Sequence, residues 1–371
     1  MSRISIAVIA LCVTTASAPA YELTLGGLVQ PAFEYTSADP ALGRAEGGFV
    51  LERVRPYVIG EEWFGGVRFF LRIEADASPY FSLLDGYLGA EQKVGGDGSW
   101  RITIGQMRAP YGRQMMVWDA ETQLPDKARL TTIEPGTQLG IMANLRVPHA
   151  SWLEITGGLF NGEGRNVVNN IDTNFLYVGR VAVRPLGRDH ALGESSLDGQ
   201  TQLAIAADIS WNDRANSGAM GNYELYTTLL GADLYAAWRG VSLYLEYLWG
   251  TGIYSDNLKS GKPDFLMHGL NAQAGWSLPF LGRMYHRFEL VGRYEELVAN
   301  DQTPLLMPGD DNQDQQRYTM GLNYFQDEHR LKAQLAFTHT HWAPDFARKT
   351  AGFSSDGVFL LLTFRPEVTV R

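Results

Sequence analysis

Apolar and polar residues alternate with a period of two along much of the chain, the spacing of a strand with two unlike faces. Residues 64–76 show it most cleanly. Val67, Phe69, Leu71, Ile73 and Ala75 share one face, and Arg68, Phe70, Arg72, Glu74 and Asp76 share the other. Residues 48–59 set Val54, Pro56 and Val58 against Arg53, Arg55 and Tyr57, and residues 82–93 set Leu84, Leu88 and Ala90 against Asp85, Tyr87 and Glu91. Residues 99–106 set Ile102 and Ile104 against Arg101 and Thr103, and residues 174–185 set Val181 and Val183 against Arg180 and Arg184. Residues 199–211, 284–296 and 329–341 repeat the pattern, the last with Leu331, Leu335 and Phe337 against Arg330, Lys332 and Gln334. Weaker segments at 22–34, 137–147, 151–160, 221–239, 240–250, 265–277, 316–325 and 356–365 bring the total to sixteen strands.

The connections alternate in length. With the N-terminus on the inner side, the outer connections are 35–47, 77–81, 107–136, 161–173, 212–220, 251–264, 297–315 and 342–355. The inner ones are tight: Gly60 to Trp63, Gly95 to Gly98, Pro148 to Ala150, Arg239-Gly240 and Gln326 to Glu328. Two break the rule, the short outer connection near Pro79 and the long inner one at 186–198. An even strand count with long loops on one rim and short turns on the other is the pattern of a bacterial outer-membrane barrel. The expected fold is therefore an all-β, sixteen-stranded antiparallel transmembrane β-barrel. Its third outer loop, 107–136, is the long segment best placed to fold inward.

Composition sharpens this. Residues 1–20 read as a secretory signal, with Arg3, an apolar core from Ile4 to Val13, and Ala18-Pro19-Ala20 before the cut; the barrel domain is then 21–371. No later run of 18 apolar residues offers a membrane helix. The 371 residues hold 40 glycines and 12% aromatics, and the net charge of -10 argues against a nucleic-acid partner. The one cysteine, Cys12, lies in the leader, so disulfides and thiolate chemistry are excluded from the mature chain. Trp63, Trp100, Trp152, Trp211, Trp249, Trp276 and Trp342 fall near strand ends, as in an interfacial girdle. Seven residues, Arg365 to Arg371, follow Phe364 at the end of the last strand.

Several stretches resemble the phosphate-selective porin O and P family: Phe49 to Gly60 (FVLERVRPYVIG), Leu83 to Ala90 (LLDGYLGA), Gly105 to Gln114 (GQMRAPYGRQ), Gln138 to Asn144 (QLGIMAN), Leu159 to Asn166 (LFNGEGRN), Gly179 to Gly187 (GRVAVRPLG) and Leu322 to Gln334 (LNYFQDEHRLKAQ). The resemblance implies a homotrimeric sixteen-stranded channel whose third outer loop folds into the pore. It also implies arginine ladders and a lysine cluster guiding anions in the phosphate-specific members. Here the arginines match in places, while of the few lysines only Lys332 faces inward.

Candidate functional residues follow from the inward faces. Arg53, Arg55, Arg68, Arg72, Arg101, Arg180, Arg184 and Lys332 are expected to line the pore, with Glu74 and Asp76 as inward acids on the same strands. Arginine rings suit anion pores because guanidinium pairs with carboxylate and phosphate oxygens. Pairing of these arginines with Asp85, Glu91 and loop carboxylates, stiffening the wall, is the competing reading. Arg108, Arg113, Asp119, Glu121, Asp126, Lys127 and Arg129 are the charged residues of the expected constriction loop, which also carries Glu134. His339 and His341 read as interface residues without a third metal ligand, and Asp310, Asp311, Asn312 and Asp314 as a solvated outer loop.

The expected function is a passive outer-membrane diffusion channel for small hydrophilic solutes, with an anion or phosphate preference. Its partners are those solutes, outer-membrane lipid and lipopolysaccharide. No cofactor, metal or enzymatic activity is expected, and no catalytic fingerprint occurs. A secreted soluble β protein that binds glycans or hydrolyses a substrate, and a non-conducting barrel acting as adhesin or anchor, stand as alternatives.

Overall fold

The computed structural model describes residues 21–37, 45–78, 80–170, 173–186, 192–197, 199–216, 223–254, 265–278, 288–299, 314–342 and 353–370. The expected leader and Asp310 to Asn312 lie outside the described residues. The strands are β1 (Tyr21–Thr36), β2 (Glu46–Phe64), β3 (Val67–Asp76), β4 (Ser82–Val94), β5 (Gly98–Arg108), β6 (Thr137–Arg146), β7 (Leu153–Phe160) and β8 (Leu176–Val183). They continue as β9 (Gln202–Asn216), β10 (Tyr223–Trp238), β11 (Val241–Tyr254), β12 (Phe265–Ser277), β13 (Phe288–Ala299), β14 (Gln315–Asp327), β15 (Leu331–Trp342) and β16 (Phe353–Phe364).

Each strand pairs antiparallel with its neighbours in sequence, and β1 pairs with both β2 and β16, so the sheet closes as a sixteen-stranded barrel. A four-residue strand, β17 (Glu367–Val370), lies beyond β16 and extends the seam by pairing Leu23 to Gly26 of β1 with Val370 to Glu367. The tail after Phe364 is thus part of the closure. Closure leaves no open edge and satisfies the backbone internally, the condition for strands in hydrocarbon. Among the described residues no helix is long and apolar enough to cross a membrane.

The two faces of the strands are inverted relative to a water-soluble protein. On β15, Leu335 and Phe337 are 47% and 48% exposed, while Lys332 and Gln334 are 2% and 0% exposed. The same holds around the wall: Leu88, Ile104, Ile209, Leu245, Leu290 and Leu362 point out, and Arg180, Asp208, Glu246, Asn271, Glu289 and Thr363 are buried. In water so much exposed apolar surface would be a liability. Against lipid it is the low-energy face, and the enclosed polar face keeps its hydrogen bonds.

The structure corrects some details. β2 runs on through Gly60 to Trp63, and the chain turns at Gly65-Gly66 instead. Both glycines have positive φ, 59° and 81°, which a two-residue hairpin of this hand requires. Trp342 is buried and so does not join the exposed tryptophans Trp63, Trp152, Trp211, Trp249 and Trp276. His339 and His341 bond to Asp356 and Ser354 of β16 through their Nδ1 atoms, at 2.8 and 2.9 Å.

Candidate functional site

Segment 109–136, between β5 and β6, is largely buried, with only Thr132 exposed, although it forms only one turn of helix, α1 (Arg113–Met116), and one 3-10 turn (Arg129–Thr132). Its course begins at Gly112, whose φ of 61° is strained for other residues and whose missing Cβ makes room for the Glu134 carboxyl. Tyr111 packs with Met107 and Ala109 against Phe160, Leu176, Val178, Leu229, Leu248 and Met267 on the wall. Leu124 packs on Val291 and Ala336.

Polar contacts fix the segment to the buried face of β11 to β15. Gln123 Nε2 donates to Ser242 Oγ (2.8 Å) and Glu289 Oε1 (2.7 Å). The Gln123 carbonyl accepts from Asn323 and Gln334, and the Thr122 carbonyl from Lys332 Nζ at 2.7 Å. Asp126 takes Arg293 at 3.1 Å and Arg317 at 2.6 Å, and the Arg129 N–H donates to Glu295 at 2.6 Å. On the opposite side Asp119 pairs with Arg55 and Arg108, and Trp118 Nε1 donates to Glu74 at 3.1 Å. The segment therefore bridges β2 and β3 to β11 to β15.

Electrostatics hold this bridge. Burial opposes ionisation of Asp119, yet Lys127, Arg55, Arg53 and Arg108 together keep its carboxyl well below the usual range. Burial, with Arg108 close by, presses the Lys127 ammonium down to about 7 against the pull of Asp119. Lys127 still donates to the Met115 and Val117 carbonyls, at 2.9 and 2.7 Å. Burial and the nearby Glu246 and Asp208 carboxylates push Glu134 well above the usual carboxyl range.

A second buried element meets the first. Residues 192–197 belong to the long β8–β9 connection, on the rim of the short turns. The Glu194 carboxylate accepts from Gln114 Nε2 (2.8 Å), the Gln123 N–H (2.7 Å) and Gln273 Nε2 (2.9 Å). Arg113 donates to the Leu192 carbonyl at 3.1 Å, and Ser195 Oγ to Glu289 at 3.0 Å. Chain from opposite rims thus meets at Glu194. The unusual length of 186–198 is the one sequence signal for it.

What remains open is a cavity of about 630 Å³ between segment 109–136 and strands β2 to β9. Among the described residues, its lining holds eight arginines (Arg72, Arg101, Arg108, Arg113, Arg146, Arg180, Arg184, Arg365) and four carboxylates (Asp85, Glu91, Glu121, Glu154). Of the expected pore residues, Arg72, Arg101, Arg180 and Arg184 line it, as do Arg108, Arg113 and Glu121 of the expected loop set. Arg53, Arg55, Arg68, Glu74, Asp76 and Lys332 do not, and neither do Asp119, Asp126, Lys127 and Arg129. Lys332, Arg53 and Arg55 share the inward parity but are covered by segment 109–136. Arg146, Glu154 and Arg365 were not legible as site residues; Arg146 and Glu154 sit on weakly alternating strands, and Arg365 lies beyond the last one.

The lining arginines are also paired. Arg72 meets Glu74 (2.5 Å) and Asp85 (3.2 Å), Arg101 meets Glu91 (2.7 Å), and Arg184 meets Glu154 (2.6 Å). Arg180 sits between Asp208 (2.7 Å) and Asp233 (2.6 Å). Arg68 is held by Glu61 and Glu91; Glu61 joins Glu74 and Asp76 as an acid on these strands because β2 extends past its expected end. Wall stiffening and lumen lining therefore coexist in the same side chains.

The model of the phosphate-selective porin O and P family matches residues 47–343. A search of curated proteins finds no match. Among solved structures, an anion-selective porin from Comamonas acidovorans is similar over 93% of this chain and 100% of its own, with 14% identity and a TM-score of 0.61. The outer-membrane channel DcaP of Acinetobacter baumannii matches over 96% and 100%, with 10% identity and a TM-score of 0.61. Salmonella typhi OmpF matches over 93% and 97%, with 12% identity and a TM-score of 0.59. At such identities these likenesses speak for the fold, and the family match speaks for the lineage. The chain belongs to the phosphate-selective porin O and P family and is a porin, a channel-forming β-barrel of the bacterial outer membrane.

Proposed function

We propose that segment 109–136 narrows the channel and that the remaining passage favours small hydrophilic anions. The observation that carries this is the lining of the open wall, which holds eight arginines and four carboxylates; Glu74, Asp119, Asp208 and Asp233 pair with Arg72, Arg108 and Arg180 from outside that lining. A chain with net charge -10 thereby presents guanidinium donors to the passage, because selectivity follows the groups at the wall and not the total. We further propose cleavage of residues 1–20 on export and assembly as a homotrimer; a Vibrio cholerae OmpT of similar fold is described as a trimer form.

The test is a planar bilayer separating unequal KCl concentrations. The reversal potential is expected to carry the sign of chloride preference. Arg72→Gln with Arg101→Gln removes two of the eight lining arginines and is expected to move it toward zero. A cation-selective wild type, or an unchanged potential in the double variant, refutes the assignment.

A further inference from the structure

We propose that the open cavity is a binding station for organic carboxylates with an apolar or aromatic body, in preference to inorganic phosphate. This rests on the anion reading above and narrows its substrate class. The arginines of the open wall do not stand among hydrophilic neighbours alone. Tyr57, Phe70, Tyr87 and Trp118 line the same space, and three guanidinium groups lie over the rings of Tyr57, Phe70 and Trp118. Arg72 sits 5.9 Å from the Tyr57 ring centre and 5.8 Å from that of Trp118. Arg101 sits 5.5 Å from Phe70, and Arg365 sits 4.3 Å from Trp118. The rings are themselves assembled edge to face, Tyr57 with Trp118 at 5.6 Å and Phe70 with Tyr87 at 6.2 Å.

This arrangement has a chemical preference. A guanidinium laid on a ring keeps donors for a planar carboxylate. The adjoining ring offers flat apolar surface a few ångströms away. An anion with a ring or short alkyl body uses both features, whereas a fully hydrated phosphate uses only the first. Met107, Met116 and Met142 extend the apolar part of the lining with side chains that adapt to varied shapes. A volume of about 630 Å³ is within the size of sites for organic ligands. The resident carboxylate partners, Glu91 on Arg101 and Glu121 on Arg365, mark where an incoming carboxylate would compete.

The full-length protein, reconstituted in a planar bilayer, is recorded in KCl while benzoate, acetate or inorganic phosphate is added to one side. Benzoate is expected to interrupt the chloride current at a concentration about tenfold below that of acetate or phosphate. Trp118→Leu combined with Phe70→Leu is expected to bring the benzoate-to-acetate ratio to about one, while Trp118→Phe keeps it; both variants are checked for the folded barrel by heat-dependent gel mobility. Equal potency of benzoate and acetate, stronger interruption by phosphate, or an unchanged ratio in the folded double variant overturns the proposal. Chloride current with no benzoate preference leaves the anion reading intact. Absence of any chloride current removes both.

Discussion

Replacing Glu194 with alanine is expected to loosen segment 109–136 and enlarge the passage. The Glu194 side chain is 2% exposed and accepts three hydrogen bonds, one on Oε1 from Gln114 and two on Oε2 from the Gln123 N–H and Gln273. Hydrogen bonds to a charged group contribute about 1.5–3 kcal/mol each. Three would amount to several kcal/mol, but the lumen is wet and water replaces part of that, so a loss of about 3 kcal/mol is a fair expectation. At about 1.4 kcal/mol per tenfold, the detached form of the segment gains roughly a hundredfold in population. Glu194→Gln tests the magnitude: its oxygen can keep the two-donor position, but its NH₂ then faces Gln114, one bond is lost, and the gain falls to about tenfold. Single-channel recording reads this as larger conductance and more frequent transitions, in the order alanine, glutamine, wild type. Wild-type conductance and noise in Glu194→Ala would refute the idea that the β8–β9 connection braces the segment.

Four further outcomes are expected. Leu335→Arg, on the lipid side at mid-strand, should cost about 2–4 kcal/mol in urea unfolding from liposomes; no loss would contradict the orientation of β15. Glu134 holds a raised carboxyl value, so its stabilisation is complete at acid pH and is lost as pH rises through that value. Wild-type conductance should therefore increase in alkaline solution relative to Glu134→Gln. Comparing the two isolates Glu134 from Lys127, whose value is lowered to about 7 and which favours the folded segment as pH rises above that. Equal pH profiles would remove Glu134 from this role. Arg365→Ala removes the stack on Trp118 and the pair with Glu121, and should lower barrel stability by about 1 kcal/mol in the heat-dependent gel shift. Truncation after Phe364 also removes the four β17–β1 pairings and should reduce folding yield in detergent or lipid by more than Arg365→Ala does.

The sixteen strands were legible because their signal is local. A strand in a barrel wall repeats every two residues, so Val67 to Asp76 or Leu331 to Gln334 announces both its faces without reference to the rest of the chain. The same parity placed the arginines of β2, β3, β5 and β8 on the inner side. It could not rank them. Arg55 and Arg72 have the same alternation, but Arg55 is covered by Asp119 while Arg72 faces the open cavity. Lys332 looks inward as expected and ends on the Thr122 carbonyl, 210 residues away. Turn chemistry at Gly60 does not end β2, because the hairpin is made by Gly65-Gly66, which sit within a stretch whose alternation reads as strand.

By itself the sequence determined the fold class, the strand count and the lipid-facing side of most strands, since each depends on neighbours two residues apart. Tertiary structure alone decided which inward charges meet water. That choice depends on where segment 109–136 and residues 192–197 cross the barrel, and their anchors, Glu194 on Gln273 and Gln123 on Glu289 and Asn323, join positions 79 to 200 residues apart in contacts that no local period encodes. Arg365 belongs to the wall for the same reason, because barrel closure brings the end of the chain back beside its beginning.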